Sequence, residues 1–240
     1  MIPVQAAAPG FFFRDHMATD VLSLQIDGAV HLPMVVHLEA VTSLRKRLDE
    51  ALAGRPGRRL VDETWRDIIV DGSALGRIAG NILGQEARPV RAIAFDKTVE
   101  TNWSLAWHQD RTIAVRERTE VEGFGPWSRK DGSLHVAPPM EILSRMITLR
   151  LHLDDCGPDN APLRIARGSH RLGRVAAKAA ALEAARLTEH LCLARAGDVW
   201  VYSTPILHAS DRARFPEHRR VLKVDYSAED LPGGLEWLGI

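Results

Sequence analysis

The chain has 240 residues, of which 45% are hydrophobic and 26% are charged. This composition is ordinary for a water-soluble globular protein, and it excludes the disordered, collagenous and fibrous classes. Lys plus Arg number 31 and Asp plus Glu number 31, so the net charge gives no reason to expect nucleic acid or an anionic membrane as a partner. We expect a single domain over residues 1–240 that binds a small molecule.

Three features bear on the compartment. No apolar run approaches the roughly 20 residues that cross a bilayer. The phenylalanines at 11–13 are followed at once by Arg14, and no basic segment precedes them, so a signal peptide is not predicted. Cys156 and Cys192 are too few for a disulfide scaffold, which fits a reducing compartment. The sequence therefore predicts a cytoplasmic protein.

Helical periodicity dominates the first part of the chain. Apolar residues recur at three- and four-residue steps from Leu38 to Leu52, with charged residues between them and glycines just beyond. This pattern predicts an amphipathic helix that packs on a core. A second, shorter helix is predicted from Ser73, as its N-cap, to Leu83.

From about residue 90 the period of the pattern shifts toward two. Leucine and isoleucine alternate with Thr148, Arg150 and His152, which predicts a strand with one apolar and one polar face. Further strands are predicted at 199–202 and 221–226, with an alanine-rich helix at 176–187 between strands. Helices followed mostly by strands favour an antiparallel sandwich or jelly roll with N-terminal helices against it.

A candidate metal site lies in the sequence His108-Gln109-Asp110. Residues two apart point the same way from a strand, and a third ligand, His208, would complete a facial set of two nitrogens and one oxygen. Such a set is typical of non-haem Fe(II) that activates O₂, because it leaves three positions open. A His and an Asp at this spacing occur by chance in many chains, so the surrounding sequence decides its value.

The surrounding sequence contains several further motifs in a fixed order. They are WHQD at 107–110, NAPLRIARGSHR at 160–171, GDVW at 197–200, and HAS at 208–210 followed by Arg219. Together they resemble the phytanoyl-CoA dioxygenase family over roughly residues 90–226. The resemblance implies a double-stranded β-helix (a cupin-like jelly roll) that uses Fe(II), 2-oxoglutarate and O₂. It also implies release of succinate and CO₂ while a second substrate is oxidised.

The resemblance also assigns residues. His108, Asp110 and His208 would bind iron, Arg219 would grip the distal carboxylate of 2-oxoglutarate, and Ser210 would assist it. A planar guanidinium suits a carboxylate because it forms two parallel, charge-assisted hydrogen bonds. Arg220 competes with Arg219, but adjacent strand residues face opposite ways, so only one can point inward. Related halogenating enzymes lack the carboxylate ligand, so the retained Asp110 favours hydroxylation.

Three more residues are assigned to the co-substrate site. Lys97 precedes the iron motif about where relatives carry a lysine, and Gln109 lies within that motif. Arg150 falls where relatives often carry an aromatic residue beside 2-oxoglutarate. An inward arginine requires an anionic partner, because an unpaired buried charge is costly.

A long segment with several glycines and prolines, about 111–145, follows the iron motif. Connections of this length are usually functional lids or disordered. We expect a substrate lid, with Arg116, Arg150 and Trp127 binding a small, carboxylate-bearing substrate.

Several alternatives stay open. The same site could serve desaturation, cyclisation or epimerisation, or the chain could be a catalytically silent jelly roll that binds a metal or small ligand. Arg116 and Arg150 could form structural ion pairs, and Lys97 could be solvated. The sequence gives no sign of the oligomeric state.

Overall fold

The computed structural model describes residues 21–240. The expectation about the phenylalanines at 11–13 lies outside these residues. Within the described part of the chain, no helix is both long and apolar enough to cross a membrane.

Strands make up most of the regular structure between residues 21 and 240. They are β1 Ala29–Leu32, β2 Gly57–Leu60, β3 Arg88–Lys97, β4 Leu105–His108, β5 Ile113–Val115, β6 Trp127–Lys130, β7 Ser133–Val136, β8 Ile147–His152, β9 Leu163–Ala166, β10 Glu189–Cys192, β11 Val199–Ser203, β12 His208–Ser210 and β13 Arg219–Ser227. The α-helices are α1 Leu38–Leu52, α2 Arg66–Ile69, α3 Ala74–Leu83, α4 Met140–Ser144 and α5 Ala180–Ala185. Short 3₁₀ turns occupy Glu63–Trp65, Ser169–Leu172 and Ala177–Ala179.

The strands form the two sheets of a double-stranded β-helix and a small third sheet. The major sheet has the order β1-β11-β8-β13-β3-β2, and the minor sheet has the order β10-β9-β12-β4. Every pairing is antiparallel. The predicted jelly roll is confirmed.

The N-terminal helices cover the outer face of the major sheet. Helix α1 has the predicted bounds and buries its apolar stripe in one cluster with Leu149 and Leu151 of β8. Helix α3 follows Ser73, whose hydroxyl accepts a hydrogen bond from the Gly76 backbone at 3.0 Å, as an N-cap should. These helices leave the inner face of the sheet free for a site.

The inner face of β8 is polar, as its alternation predicts. Thr148, Arg150 and His152 are nevertheless buried, like the leucines between them. Both faces are covered because helices lie on one side and the minor sheet lies on the other. The polar residues therefore point between the two sheets rather than into solvent.

The segment predicted as a lid folds into the third sheet, of order β5-β7-β6. Its apolar residues form a cluster with Val90, Met146 and Trp237. The alanine-rich stretch at 176–187 is helical, as predicted, but it is divided between a 3₁₀ turn and the short α5. The third sheet is a packed element beside the jelly roll.

Candidate active site

The minor sheet brings the predicted metal ligands together. In the pairing of β12 with β4, His208 lies directly opposite His108, and their ring centroids are 4.2 Å apart. Asp110 follows β4 by two residues. Ligand atoms of His108, Asp110 and His208 all lie within 4.8 Å of one another.

Local hydrogen bonds orient both imidazoles. Nδ1 of His108 lies 2.8 Å from the Ala106 carbonyl oxygen, and Nδ1 of His208 lies 3.0 Å from that of Ile206. A carbonyl oxygen only accepts, so each Nδ1 carries the proton and each Nε2 keeps its lone pair. Burial lowers the pKa of His208 to about 3, against the opposing effect of Asp110, so this ring is neutral at pH 7. Neutral imidazoles are the form that binds metals.

Asp110 faces two cations. Its Oδ2 atom accepts a hydrogen bond from the Lys223 ammonium and lies 3.8 Å from the Arg91 guanidinium. The Asp225 carboxylate also contacts both cations. It lies 2.5 Å from the Arg91 guanidinium and 3.7 Å from the Lys223 ammonium. Burial raises the pKa of the Asp110 carboxyl, but Lys223, Arg91 and His208 together hold it well below its ordinary value.

Arg219 and Lys97 converge on Ser210 in the same cavity. Arg219, only 2% exposed, donates to the Ala161 carbonyl and lies 3.4 Å from the Ser210 hydroxyl, while its Nε has no partner among residues 21–240. The Lys97 ammonium lies 3.0 Å from the same hydroxyl and 2.7 Å from the Asp211 carbonyl oxygen. No carboxylate within the described range pairs with the Arg219 guanidinium, so it can accept an anionic ligand.

The pKa values reflect this crowding of positive charge. Burial, Arg219 and Arg150 lower the pKa of Lys97 to about 7. Burial and Arg150 lower the pKa of Arg219 to about 10. Each group would be stabilised in its charged form by a carboxylate placed between them.

One cavity of about 120 Å³ contains both groups of residues. Its lining comes from both sheets and from the loop between β3 and β4, and consists of Ile93, Phe95, Lys97, Trp103, Leu105, His108, Asp110, Arg150, Leu163, Tyr202, His208, Ser210, Arg219 and Lys223. A set of candidate metal ligands and a guanidinium without a carboxylate partner among the described residues thus share one cavity.

The sequence matches the family described as phytanoyl-CoA dioxygenase (PhyH) over residues 24–221. The chain belongs to this family. This family comprises enzymes that depend on Fe(II), 2-oxoglutarate and O₂. The donor set fits the metal, because two neutral imidazole nitrogens and one carboxylate form the facial arrangement that non-haem iron uses.

Solved structures share the fold of this family member. HygX from Streptomyces hygroscopicus, with nickel and 2-oxoglutarate bound, is 17% identical with a TM-score of 0.59, over 85% of this chain and 84% of that one. The epimerase SnoN, in complex with Fe³⁺, alpha ketoglutarate and nogalamycin RO, is 17% identical with a TM-score of 0.65, over 88% of each chain. EctD from S. alaskensis is 17% identical with a TM-score of 0.63, over 88% of this chain and 76% of that one. No curated protein matches the sequence.

In this phytanoyl-CoA dioxygenase family member, Arg219 rather than Arg220 points into the cavity. Arg220 is directed outward, where it pairs with Asp154 and Asp49, each at 2.9 Å. The alternation of β13 thus decides between the two arginines that the sequence left in competition.

Three residues predicted for the site lie outside the cavity of this family member. The Gln109 amide donates to the carbonyls of Gly173 and Pro205 and accepts from the Val175 backbone, so it faces away from the metal ligands. Gln109 directly follows β4, and the flanking His108 and Asp110 both line the cavity, so the Gln109 side chain lies on the opposite side of the chain.

The two residues predicted on the lid are also elsewhere. Arg116 is exposed and pairs with Glu236 at 2.8 Å. Trp127 packs in the apolar cluster of the third sheet, with the Arg118 guanidinium 5.4 Å from its ring centroid. No residue of 111–145 lines the cavity, because this segment folds on itself and on Trp237.

Four residues at or beside the cavity were not predicted from the sequence. They are Lys223, Asp225, Arg91 and Tyr202. One signal was present, since Lys223 and Asp225 follow Arg219 at even spacing and must share its face of β13. Arg91 and Tyr202 join them only through the register of the sheet, in which Asp225 lies opposite Arg91 and Thr148, and Thr148 lies opposite Tyr202.

Proposed function

We propose that the chain is a single-domain Fe(II)- and 2-oxoglutarate-dependent hydroxylase of a small, carboxylate-bearing substrate. The observation that carries this proposal is the shared cavity, in which the cluster of His108, Asp110 and His208 opens onto the buried, unpaired Arg219. A protein that bound a metal alone would not require the guanidinium, and one that bound an anion alone would not require the ligand set.

Iron would be held by His108, Asp110 and His208, whose imidazoles present Nε2 because Nδ1 is bonded to the backbone. When bound, iron and 2-oxoglutarate supply the oxidising chemistry, in which 2-oxoglutarate and O₂ give succinate, CO₂ and an oxidised substrate. The protein contributes orientation, and a low dielectric that strengthens charge pairs.

The distal carboxylate of 2-oxoglutarate would be bound by Arg219, with Ser210 and Lys97 beside it. Arg219 offers its free Nε, and the Lys97 ammonium can turn from Ser210 to the ligand. The carbonyl oxygens of Ala161 and Asp211 keep both cations in place. Removal of water from this space makes each charge-assisted hydrogen bond stronger.

Hydroxylation is proposed over halogenation because Asp110 would supply a third protein ligand, whereas related halogenating enzymes lack this carboxylate and leave room for a halide. The architecture alone does not select hydroxylation over epimerisation, since the epimerase SnoN shares the fold. Mass spectrometry of the product separates these outcomes, because hydroxylation adds one oxygen, desaturation removes two hydrogens, and epimerisation changes no mass.

The proposal is tested first without turnover. Anaerobic addition of Fe(II) and 2-oxoglutarate should give a visible charge-transfer band that is absent in His108→Ala. His37→Ala is the matched control, because His37 precedes α1 and makes no side-chain cap hydrogen bond. In air, wild-type protein should release succinate. Absence of both the band and succinate would identify a silent binding protein instead.

A further inference from the structure

Arg150 is a buried cation with no counter-ion. It is only 7% exposed and lines the cavity, yet its Nε has no hydrogen-bond partner and no carboxylate forms an ion pair with it among residues 21–240. An unpaired buried charge is costly, so a guanidinium retained in this state is suited to an anionic ligand.

Tyr202 presents a second unsatisfied donor to the same space. Its side chain is 1% exposed and lines the cavity, and its hydroxyl has no partner within the described range. Buried tyrosine hydroxyls usually find a partner. The Tyr202 ring centroid is 5.9 Å from that of His208, which places the tyrosine beside the metal ligands.

Sheet register puts these two donors together. On β11 and β8, Trp200 lies opposite Arg150 and Tyr202 lies opposite Thr148. Arg150 and Tyr202 are therefore diagonal neighbours on the inner face, at a separation of roughly 7–8 Å that long side chains bridge.

The backbone positions of Arg150 and Arg219 are far apart along the major sheet. Arg150 lies opposite Lys223 of β13, the residue that contacts Asp110. Arg219 is four residues away along the same strand, or about 13 Å at the rise of an antiparallel strand. The Arg150 guanidinium is nevertheless close enough to Arg219 and Lys97 to lower the pKa of both. Because Arg219, Ser210 and Lys97 already supply the donors that a distal carboxylate of 2-oxoglutarate needs, Arg150 is available for a second anion beside it.

We infer that Arg150 and Tyr202 form the subsite that binds the carboxylate of the second substrate. The guanidinium supplies two parallel hydrogen bonds and the hydroxyl supplies a third. Phe95, Trp103 and Leu105 line the cavity as apolar walls, so the substrate is a small carboxylic acid with an apolar body. The inference rests on the proposed function, because a subsite beside His208 places the substrate at the metal.

The test uses nickel-loaded protein saturated with 2-oxoglutarate, which fills the Arg219 end of the cavity. Benzoate and hexanoate are the probes, their neutral amides are the matched ligands, and saturable binding is measured by ligand-observed NMR. The acids should bind at least about tenfold more tightly than the amides. Arg150→Met should weaken binding of the acids by about tenfold or more, and Tyr202→Phe by about threefold.

Controls separate this inference from a general loss of the fold. Arg116→Met removes an arginine outside the cavity, and Tyr226→Phe removes a hydroxyl bonded to the Ile69 carbonyl at 2.7 Å. Both should leave binding of the acids unchanged. Arg150→Lys keeps the charge and should restore part of the affinity, even where Arg150→Met folds poorly.

Two results would overturn the inference. One is that neither acid binds to the loaded wild-type protein. The other is that Arg150→Met raises the dissociation constant of 2-oxoglutarate while that of the acids stays the same, which would assign Arg150 to the co-substrate. Failure of 2-oxoglutarate to bind to nickel-loaded wild-type protein would instead contradict the proposed function itself.

Discussion

The Lys223 ammonium forms a hydrogen bond with the Asp110 carboxylate, the oxygen ligand of the proposed iron site. Asp225 lies 3.7 Å from the same ammonium and 2.5 Å from Arg91. Four charges therefore alternate in sign, from Asp110 beside the minor sheet to Lys223, Asp225 and Arg91 on the inner face of the major sheet. Strand β13 therefore serves both halves of the site, with Lys223 beside the metal ligands and Arg219 at the anion-binding end. A divalent metal at Asp110 must share this carboxylate with a cation already present.

Lys223→Met is expected to destabilise the metal-free protein and to strengthen its response to metal. Without the ammonium, Asp110 keeps only Arg91 at 3.8 Å, so the free energy of unfolding should fall by about 1 to 3 kcal/mol. Nickel would then replace the missing positive charge. The rise in melting temperature on addition of nickel should be larger in the variant than in the wild type.

Lys46→Met is the control for this prediction. Lys46 is exposed on α1 and pairs with Glu50 only at 4.0 Å, a contact of little energetic weight. An equal loss of stability in Lys223→Met with and without nickel would show that the ammonium and the metal do not compete for Asp110.

The metal ligands could be predicted from the sequence, but the charges around them could not. His108 and Asp110 have the two-residue spacing that predicts one side of a strand, although β4 ends at His108 and Asp110 follows it. The resemblance to the family supplied His208 and Arg219. Lys223 reaches Asp110 across 113 positions of sequence through the facing of two sheets. Sequence periodicity gives the face of a strand on which a residue lies, but it does not give what stands opposite.

Lys97 should take up a proton when 2-oxoglutarate binds above neutral pH. The folded-state pKa of about 7 lies below the ordinary 10.5, so at pH 8 the free site holds Lys97 mostly as the neutral amine. A carboxylate at Arg219 and Ser210 favours the ammonium and raises this pKa. Binding should therefore consume roughly one proton at pH 8 and almost none at pH 6.

Calorimetry on nickel-loaded protein, in buffers that differ in ionisation enthalpy, measures this uptake. Lys97→Met should abolish the dependence on buffer at pH 8, whereas Lys130→Met, which changes a lysine outside the cavity, should retain it. A wild-type enthalpy independent of buffer at both pH values would contradict the role given to Lys97.

Arg219→Met should lower the affinity for 2-oxoglutarate, whereas Arg220→Met should lower the stability of the protein. Truncation of Arg219 removes the partner of the distal carboxylate, so the dissociation constant of 2-oxoglutarate should rise on the order of 100-fold. Arg220 instead pairs with Asp154 and Asp49 on the outer side, so its removal should lower the melting temperature and leave 2-oxoglutarate binding unchanged. The reverse pattern in calorimetry would mean that β13 faces the other way.

The fold was easier to predict than the segment after the iron motif. Apolar residues recur at a regular spacing in helix α1 and in the strand Ile147–His152, so the sequence predicts both elements well. The segment 111–145 is expected to be a lid because of its length and its glycines and prolines, and it contains three short strands. Those strands are specified by pairing with one another and by contact with Trp237, about a hundred residues further along the chain.

Gln109→Ala is expected to lower stability without a matching loss of 2-oxoglutarate affinity. The amide donates to the Gly173 and Pro205 carbonyls at 2.9 and 2.8 Å and accepts from the Val175 backbone at 2.9 Å. Loss of these bonds leaves buried backbone groups without partners, so the free energy of unfolding should fall by about 2 to 4 kcal/mol. Gln109→Glu should be no better, because its carboxylate would face two carbonyl oxygens.

Denaturant unfolding measures the loss of stability in Gln109→Ala, and calorimetry should show a dissociation constant for 2-oxoglutarate within about threefold of the wild type. A tenfold or greater loss of affinity at unchanged stability would return Gln109 to the co-substrate site.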